Sequence, residues 1–524
     1  MSTLIAATGP SVCLVLLSLV IGGLVDGEVL YGLLWVFLGA ASLSAGALFI
    51  AIRQCGVIVE TALLEKRLAI EGAISCVDLA HIERVGEAHV KEVLAVDLAK
   101  ISSTARRLPP VVTSAASLVL SALVVLLFAP WILLLFFTVF AIGGAAYLVM
   151  HRRLAASIGR TRSAERSHQV LLRHLLSGRK EVRLSEDRRV AIIDDHIGPA
   201  VTAVRNASVD EITQTAGLIF VSNLFSWASL FVIVAILPLY VSDMGVVIQA
   251  LYIGIFVRTY MFGLVFDLPS LLELTSALVA VEDLARALGD APQLVSGTQS
   301  APSDFESIRV DAAQFSYTAN NEDSGFSLGP LSLDIRRGRT VFLVGANGAG
   351  KSTFLKLLTK LYEPDDGRLF VDDVPIDRAN TDAYRQLFAC VFTDFHLFDR
   401  LYGLKDVSDW QANALLAELG IAHRVRVTDG VFSTTDLSSG QRQRLALAVA
   451  LLEDRPILVL DEIAADQDPN FRRRIYRELI PKWRDEGRTL IVVSHDDRFF
   501  DLADTLVTFD SGEVTVEHRE RSQS

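Results

Sequence analysis

A glycine-rich octet, Gly345 to Ser352, restricts the fold of this chain more narrowly than any other segment. Its sequence is G-A-N-G-A-G-K-S, and the apolar run before it, Thr340 to Val344, predicts a buried strand. The residues after it, Thr353 to Leu358, predict the start of a helix. A strand, a glycine-rich loop and a helix in this order form the setting of the phosphate loop, G-x-x-x-x-G-K-S/T. The octet therefore predicts an α/β domain that binds phosphate groups.

The residue types of the octet suit an anionic ligand. Glycines let the backbone turn tightly enough for several N–H groups to point at one phosphate, and the helix N-terminus adds its positive dipole end. Lys351 can reach the β- and γ-phosphates of a nucleotide, and the Ser352 hydroxyl can bind Mg²⁺. The alternative is a glycine-rich turn with a chance Lys-Ser pair, which the strand–loop–helix setting disfavours. The predicted nucleotide contacts are Gly345, Ala346, Asn347, Gly348, Ala349, Gly350, Lys351, Ser352 and Thr353.

Two later apolar runs, Ile457 to Leu460 and Thr489 to Val493, also predict buried strands, and polar side chains follow both. A carboxylate at the C-terminal end of a strand beside a phosphate loop is placed to bind Mg²⁺, which predicts Asp461 as a metal ligand. Glu462 can orient or deprotonate an attacking water. His495 is predicted to act as a polar switch at the γ-phosphate. The alternative is solvated polar groups at strand ends.

The segment Leu437-Ser438-Ser439-Gly440-Gln441 precedes another predicted helix. Ser438 is a suitable N-cap, and the helix N-terminus is a second anion site. Two phosphate-directed helix ends in one domain cannot easily bind the same γ-phosphate. This favours a head-to-tail dimer, in which each copy completes the nucleotide site of the other. The predicted nucleotide contacts from this segment are Ser438, Ser439, Gly440 and Gln441.

The first half of the chain is rich in apolar residues, which raise the hydrophobic fraction of the whole sequence to 51% and its mean hydropathy to +0.40. The second apolar stretch alone is long enough, as a helix of about 34 Å, to cross a hydrocarbon core of about 30 Å. The stretches therefore predict six membrane helices. They occupy residues 5–25, 30–52, 111–128, 131–150, 216–240 and 246–266.

The segments between the apolar stretches differ in length and charge. Short tips carry Asp26, Glu28 and Asp243, whereas residues 53–108 and 151–215 are long, polar and helically periodic, and the second of these is rich in arginine. That periodicity disfavours disordered linkers. Basic segments face the cytoplasm, so both termini are predicted to be cytoplasmic. The first apolar stretch has no Lys or Arg before it, which favours a retained span over a secretory leader.

Other features limit the partners and the redox state. The net charge of −12 and the acidic second half do not suggest a nucleic-acid partner. Four widely spaced cysteines predict reduced thiols. Arg258 lies within the sixth apolar stretch, where an unpaired cation costs at least about 2.5–3.5 kcal/mol. It is predicted to face a cavity that holds cargo, or else to snorkel or pair with Asp267 or Glu273.

Composition predicts four regions in the chain. Residues 1–288 form a six-helix membrane domain, and residues 289–304 form a linker rich in Gly, Pro and Ser. Residues 305–518 form an α/β ATP-binding domain of the phosphate-loop class, because short β-like runs alternate there with helical ones. Residues 519–524 form a tail.

Together, the phosphate loop, the L-S-S-G-Q segment, Asp461-Glu462 and His495 resemble the ATP-binding-cassette (ABC) transporters. The resemblance covers about Phe305 to Val516, and the six stretches with two long loops resemble the exporter type of membrane domain. It implies ATP and Mg²⁺ as ligands, and hydrolysis at two composite sites of a homodimer. It also implies that Tyr317 stacks on adenine, the alternative being an aromatic residue of the strand core.

Two departures from the family pattern point to one branch. Thr393 stands where the family has a glutamine near Mg²⁺, which implies Thr393 as a third metal-site residue beside Ser352 and Asp461. The loop after the catalytic strand reads Ala465-Asp466-Gln467-Asp468-Pro469 instead of Ser-Ala-Leu-Asp-Pro. With His495-Asp496-Asp497, these segments resemble the bacterial cyclic-peptide and siderophore-peptide exporters, which include the pyoverdine-type exporters.

This resemblance implies ATP-driven export of a peptide-type, amphiphilic compound across the lipid bilayer of the bacterial inner membrane by alternating access. A lipid flippase or a multidrug exporter is an alternative, because the hydrophobicity of the spans does not separate these cargoes. A further alternative is an ATP-gated regulatory membrane protein. The presence of both Glu462 and His495 favours hydrolysis over that reading.

Overall fold

A computed structural model describes residues 2–25, 27–28, 30–128, 130–241, 243–289, 305–317, 326–510 and 512–519. The chain divides into two compact units. The first unit comprises Met1–Ala69 and Val90–Leu284, and the second comprises Ile70–His89 and Ala285–Ser524. The predicted linker and tail lie outside the described residues, apart from Gly289 and Arg519, so their boundaries stay predictions.

Most described residues up to Gly289 are helical, and the predicted apolar stretches coincide with helical residues apart from Leu30 and Tyr240. The α-helices are α1 (Ser2–Val25), α2 (Tyr31–Cys76), α3 (Leu79–Val85), α4 (Glu87–Glu92), α5 (Leu98–Ala105), α6 (Leu108–Phe128), α7 (Pro130–Ser177), α8 (Arg179–Leu184), α9 (Glu186–Val190), α10 (Gly198–Phe231) and α11 (Met244–Gly289). Wider π-helical turns occur at Val93–Asp97, Ala191–Ile197 and Val232–Ile236, and a 3₁₀ turn occurs at Leu237–Leu239.

Four helical segments in the described part of the chain are long and apolar enough to cross a membrane. They are Ser2–Leu24, Tyr31–Cys76, Glu186–Leu239 and Met244–Asp267. The other two predicted spans, 111–128 and 131–150, lie in α6 and α7, where many side chains fall outside the described residues. Six membrane helices therefore stay a prediction.

The long helices continue well beyond their apolar stretches. Helix α2 has 46 residues, which corresponds to about 69 Å and more than twice a hydrocarbon core of about 30 Å. Polar contacts join α7 and α10 beyond the apolar part: Ser157 Oγ donates to Asp210 Oδ2 at 3.0 Å, and the Arg160 guanidinium donates to the same oxygen. Because α2 continues without a break to Cys76, the polar segment from residue 53 to residue 76 extends this helix, as the periodicity predicts.

The C-terminal part of the second unit alternates strands and helices, which confirms the predicted α/β class. The strands are β1 (Ser307–Ser316), β2 (Ser327–Arg336), β3 (Thr340–Gly345), β4 (Asp366–Val371), β5 (Val374–Pro375), β6 (Phe388–Val391), β7 (Val427–Thr428), β8 (Val431–Phe432), β9 (Ile457–Asp461), β10 (Thr489–Val493), β11 (Thr505–Asp510) and β12 (Glu513–His518). The helices are α12 (Lys351–Leu358), α13 (Thr381–Arg385), α14 (Asp409–Glu418), α15 (Ser439–Leu452), α16 (Pro469–Arg474) and α17 (Ile480–Asp485), with a π-helical turn at Ile475–Leu479 and a 3₁₀ turn at Asp497–Leu502.

The strands form a six-stranded sheet in the order β12-β11-β3-β10-β9-β6, a four-stranded sheet in the order β2-β1-β4-β5, and the small pair β7-β8. In the larger sheet, β11, β3, β10, β9 and β6 run parallel. Strands β9 and β10 are buried throughout, as expected of parallel strands covered on both faces. Their C-terminal ends meet at one edge, where Val493 pairs with both Leu343 and Asp461.

A short segment of the N-terminal half, Ile70–His89, belongs to the second unit. Leu79 and Ala80 of α3 pack against the core around the four-stranded sheet. The Glu83 carboxylate accepts a hydrogen bond from Tyr362 Oη at 2.5 Å and one from Lys356 Nζ at 3.3 Å. Burial and the hydrogen bond to Glu83 raise the pKa of Tyr362 well above its usual range. Helix α3 is therefore held on the phosphate-loop domain by packing and by a charged network.

We expect Tyr362→Phe to lower the free energy of unfolding by about 1.5 kcal/mol, the lower end of the range for a hydrogen bond to a charged group, because Glu83 is partly exposed. Packing should survive, because the ring is buried and stacks on Phe315 with centroids 4.9 Å apart. The thermal unfolding midpoint of the purified protein measures the loss. Glu83→Gln keeps an acceptor and should lose less, so an equal or larger loss in that variant would contradict the assignment.

Candidate nucleotide-binding site

The predicted phosphate loop connects β3 to α12, and its backbone requires glycine at two points. Gly345 has φ 141° and Gly350 has φ 111°, in the left-handed region that side chains rarely adopt. A Cβ atom on Gly345 would lie 2.2 Å from the Phe509 carbonyl oxygen, and one on Gly350 would lie 2.9 Å from the Phe326 ring. The loop therefore closes tightly over the N-terminus of α12.

Lys351 is held within this loop although it carries a charge. It is only 6% exposed, and its Nζ donates to the Gly345 and Ala346 carbonyl oxygens at 2.8 and 2.9 Å. Burial lowers its pKa, and the negative charges of Glu462 and Asp461 oppose that shift. The ammonium is therefore already directed at the space enclosed by the loop, and phosphate oxygens can replace the two carbonyl acceptors.

Three predicted site residues meet at the carboxyl edge of the large sheet. Asp461 ends β9 and is 3% exposed, and burial raises its pKa. Glu462 follows with φ 53°, a left-handed conformation that costs about 1–3 kcal/mol and is concentrated at functional sites. His495 Nε2 lies 2.8 Å from Glu462 Oε1. The histidine therefore fixes the direction of the glutamate carboxylate.

Thr393, the residue that replaces the usual glutamine, adjoins Asp461. Its backbone N–H donates to Asp461 Oδ2 at 3.3 Å, and its hydroxyl donates to the Asp461 carbonyl oxygen at 3.4 Å. Thr393 therefore orients Asp461 in this structure, and a direct metal contact by its hydroxyl stays a prediction.

The donor set fits a magnesium–nucleotide complex. Among the described residues, no three His, Cys, Asp or Glu side chains are grouped to hold a metal ion. Mg²⁺ is commonly bound by one or two protein oxygens with phosphates and water completing its shell. The buried Asp461 carboxylate and the exposed Ser352 at the start of α12 are oxygen ligands of this kind. They can hold such an ion.

Tyr317 lies directly after β1, near the same helix. Its hydroxyl is 3.3 Å from Thr353 Oγ1, and the residue is 39% exposed. One edge packs against Phe315 and Tyr362 with centroid separations of 5.1 and 6.0 Å. The exposed part of the ring is available to stack on a base, and that role stays a prediction.

The predicted N-cap of α15 is present. Ser438 Oγ accepts a hydrogen bond from Gln441 N, and Gln441 Oε1 accepts one from Ser438 N at 3.2 Å, which forms a capping box. Ser439, the next residue, lines a cavity of about 360 Å³ together with Thr393 and Glu462. The structure therefore brings this segment of the chain close to its own catalytic edge.

Three side chains join this helix to the loop after β9, namely Gln443, Arg444 and Gln467. The sequence marked Gln467 only as part of a loop of unusual composition, and it gave no signal for Gln443 or Arg444. In the first unit, the Arg258 guanidinium lies 4.4 Å from the centre of the Trp227 ring, and its Nε atom is buried without a hydrogen-bond partner among the described residues. Asp267, one of its two predicted partners, pairs with Arg107 at 3.6 Å. The side chain of Glu273, the other, lies outside the described residues.

Comparisons with known proteins agree with this geometry. A family model described as "ABC transporter" matches residues 328–465. The ATP-binding protein SyrD of Pseudomonas syringae pv. syringae is 44% identical over 210 residues, which cover 39% of this chain and 37% of that protein. The ATP-dependent lipid A-core flippase of Vibrio vulnificus (strain CMCP6) is 30% identical over 303 residues, which cover 54% of this chain and 51% of the flippase.

The chain thus spans between 37% and 51% of the length of these two relatives. The matched family segment contains the phosphate loop, the capped helix α15 and the Asp461-Glu462 strand end, and these are the elements that the structure gathers around one sheet. The C-terminal α/β region is an ABC transporter ATPase domain, and a region of long apolar helices precedes it.

Proposed function

We propose that this protein is an ATP-driven exporter that works as a homodimer in the bacterial inner membrane. The observation that carries the proposal is the Glu462–His495 pair, 2.8 Å apart, beside the buried Asp461 and at the same sheet edge as the phosphate loop. A domain that only binds nucleotide needs the loop but not a glutamate with a strained backbone whose carboxylate contacts a histidine. The pair therefore supports hydrolysis over simple ligand gating.

The residues of this chain divide the chemistry among them. Lys351 and the loop N–H groups bind the β- and γ-phosphates, and Asp461 and Ser352 would hold Mg²⁺, which would supply positive charge next to the phosphate oxygens. Glu462 accepts a proton from water as the water oxygen bonds to the γ-phosphorus and the bond to the ADP oxygen breaks. His495 keeps the glutamate oxygen directed at that water.

The homodimer is supported by the capped N-terminus of α15. Ser438 satisfies one backbone donor of its own helix, and the remaining N–H groups and the helix dipole favour an anion there. In the proposed dimer, this end faces the γ-phosphate bound by Lys351 of the other copy. Closure of the two sites would then drive alternating access. The arginine-rich segment 151–215 supports cytoplasmic termini.

The proposed cargo is an amphiphilic, peptide-type compound with an acidic group. The resemblance of the Thr393, Asp466-Gln467-Asp468 and His495-Asp496-Asp497 segments to peptide exporters supports the peptide class. Arg258 supports the acidic group, because its Nε has no acceptor among the described residues while its face is covered by Trp227. A lipid flippase is the second candidate, because relatives with that name align over about half of their length.

Reconstituted vesicles separate these cargoes. We expect acidic and cyclic amphiphilic peptides to stimulate ATP hydrolysis and to accumulate inside inside-out vesicles, with lipids and neutral peptides tested in parallel. Arg258→Ala should raise the half-saturating concentration of acidic peptides by about tenfold or more, as expected for the loss of one charged contact. The half-saturating concentration of neutral peptides should stay unchanged. Arg258→Lys is the matched control that keeps the charge. If only lipids stimulate hydrolysis and move between leaflets, the protein is a lipid flippase and the proposed peptide export is wrong.

A further inference from the structure

A buried glutamine joins the loop after the catalytic strand to helix α15. Gln467 is 5% exposed, and its Nε2 donates to the Gly440 carbonyl oxygen and to Gln443 Oε1, both at 3.0 Å. Its Oε1 accepts a hydrogen bond from Arg444 Nε at 2.8 Å. Both N–H groups and the oxygen of the amide are therefore used, as a buried polar side chain requires.

Arg444 extends the same connection to the far end of the loop. Its second nitrogen donates to Asp468 Oδ2 at 2.7 Å, and its guanidinium lies 3.7 Å from the centre of the Phe471 ring. Asp468 in turn caps α16 by accepting from the N–H groups of Asn470 and Phe471. One arginine of α15 therefore contacts the loop and the helix that follows it.

The two backbones also approach closely at this junction. A Cβ atom on Gly440 would lie 2.8 Å from the Asp466 carbonyl oxygen and 3.3 Å from Gln467 Oε1. The Ser439 hydroxyl donates to the Asp466 carboxylate. The first turn of α15 is therefore fixed to the loop by backbone packing, by a carboxylate and by the Gln467 amide.

The loop itself is short and internally hydrogen-bonded. Ala465 N donates to the Glu462 carbonyl oxygen at 3.0 Å, and Gln467 N donates to the Ala464 carbonyl oxygen at 3.3 Å. The Arg472 guanidinium donates to the carbonyl oxygens of Ala464 and Ala465, both at 3.1 Å. Hydrogen bonds therefore connect the loop from Gln467 back to Glu462.

We propose that Gln467 and Arg444 are positioning residues, which make the first turn of α15 and the Glu462 carboxylate of the same chain move as one unit. The inference rests on the proposed homodimer, in which α15 of one copy contacts the nucleotide of the other. When α15 binds the phosphate at one site, Glu462 of the same chain is then aligned at the other site. The hydrogen bonds made by Gln467 and Arg444 therefore couple the two hydrolytic sites.

Replacing Gln467 has different effects if the residue only stabilises the fold than if it positions Glu462. A buried amide that only fills space would lower the melting temperature when replaced, and hydrolysis would fall only as folded protein is lost. A positioning role changes how the rate depends on ATP concentration in protein that remains folded. The shape of that dependence is therefore the decisive readout.

The test uses the full-length dimer in vesicles, with ATP as the probe. Gln467→Met keeps the length of the side chain and removes all three hydrogen bonds, whereas Gln467→Glu keeps the acceptor for Arg444. For Gln467→Met, we expect kcat to fall about tenfold, as for a displaced catalytic group, and the Hill coefficient to fall from about two to about one. Gln467→Glu should be intermediate, and a fluorescent ATP analogue should bind each phosphate loop with unchanged affinity.

Two results would overturn the proposal. An unchanged Hill coefficient in Gln467→Met, with any loss of rate matched by loss of folded dimer, leaves only the structural role. If wild-type protein hydrolyses ATP without cooperativity, the coupling is absent and the inference fails while the exporter reading stands. Absence of any wild-type hydrolysis would instead remove the proposed function and, with it, the coupling.

Discussion

Glu462→Gln should reduce ATP hydrolysis by roughly 10²-fold or more while leaving ATP binding intact. The amide cannot accept the proton of the attacking water, and loss of a general base costs at least about that factor. Its shape is nearly the same, so the contact of 2.8 Å with His495 can persist through the amide. Steady-state phosphate release and equilibrium binding of a fluorescent ATP analogue measure the two quantities separately.

Glu486→Gln is the matched control for this variant. Glu486 undergoes the same chemical change in the same domain, but it is exposed and forms a surface ion pair with Lys482 at 3.9 Å. Such a surface pair contributes little to stability, so Glu486→Gln should hydrolyse ATP at the wild-type rate. Turnover by Glu462→Gln near the wild-type rate would remove Glu462 from the catalytic role.

Lys351→Ala should weaken ATP binding by about 10- to 150-fold, which corresponds to the loss of about 1.5–3 kcal/mol for a charge-assisted contact. The expected effect is large because Lys351 is 6% exposed and already oriented by two loop carbonyls, so little ordering is needed when phosphate binds. Titration with the fluorescent analogue, in the presence of Mg²⁺, gives the dissociation constant directly.

Lys482→Ala provides the control for charge and length. This lysine is 49% exposed and pairs with Glu418 at the surface, away from the phosphate loop. Its removal should leave the dissociation constant unchanged. An equal loss of affinity in both variants would indicate a general charge effect and would contradict the specific role of Lys351.

Much of the nucleotide site follows from short segments of sequence. The octet at Gly345 predicts the turn because glycine tolerates the positive φ angles that the structure shows there. The capping box at Ser438 depends on residues only three positions apart. The sequence places Asp461 and His495 at the ends of two predicted strands, and the parallel pairing of β9 with β10 brings these two strand ends to one edge.

Contacts between distant segments were not predicted. Tyr362 and Glu83 are 279 positions apart, and nothing in the composition of residues 70–89 indicates that they pack with the C-terminal half. The sequence marked the loop at Gln467 as unusual but did not show that the amide binds Gly440, which lies 27 positions earlier. It also offered Asp267 as a partner for Arg258, whereas the structure pairs Asp267 with Arg107.

The division has a physical reason. The sequence alone determined the apolar stretches, the phosphate loop, the helix cap and the strand-end carboxylates, because backbone preferences, side-chain capping and hydrophobic periodicity act over a few residues. Only the tertiary structure decided which buried polar groups satisfy one another. Such partners are selected when apolar surfaces from distant segments pack together, and each buried donor must then find whichever acceptor that packing has brought within reach.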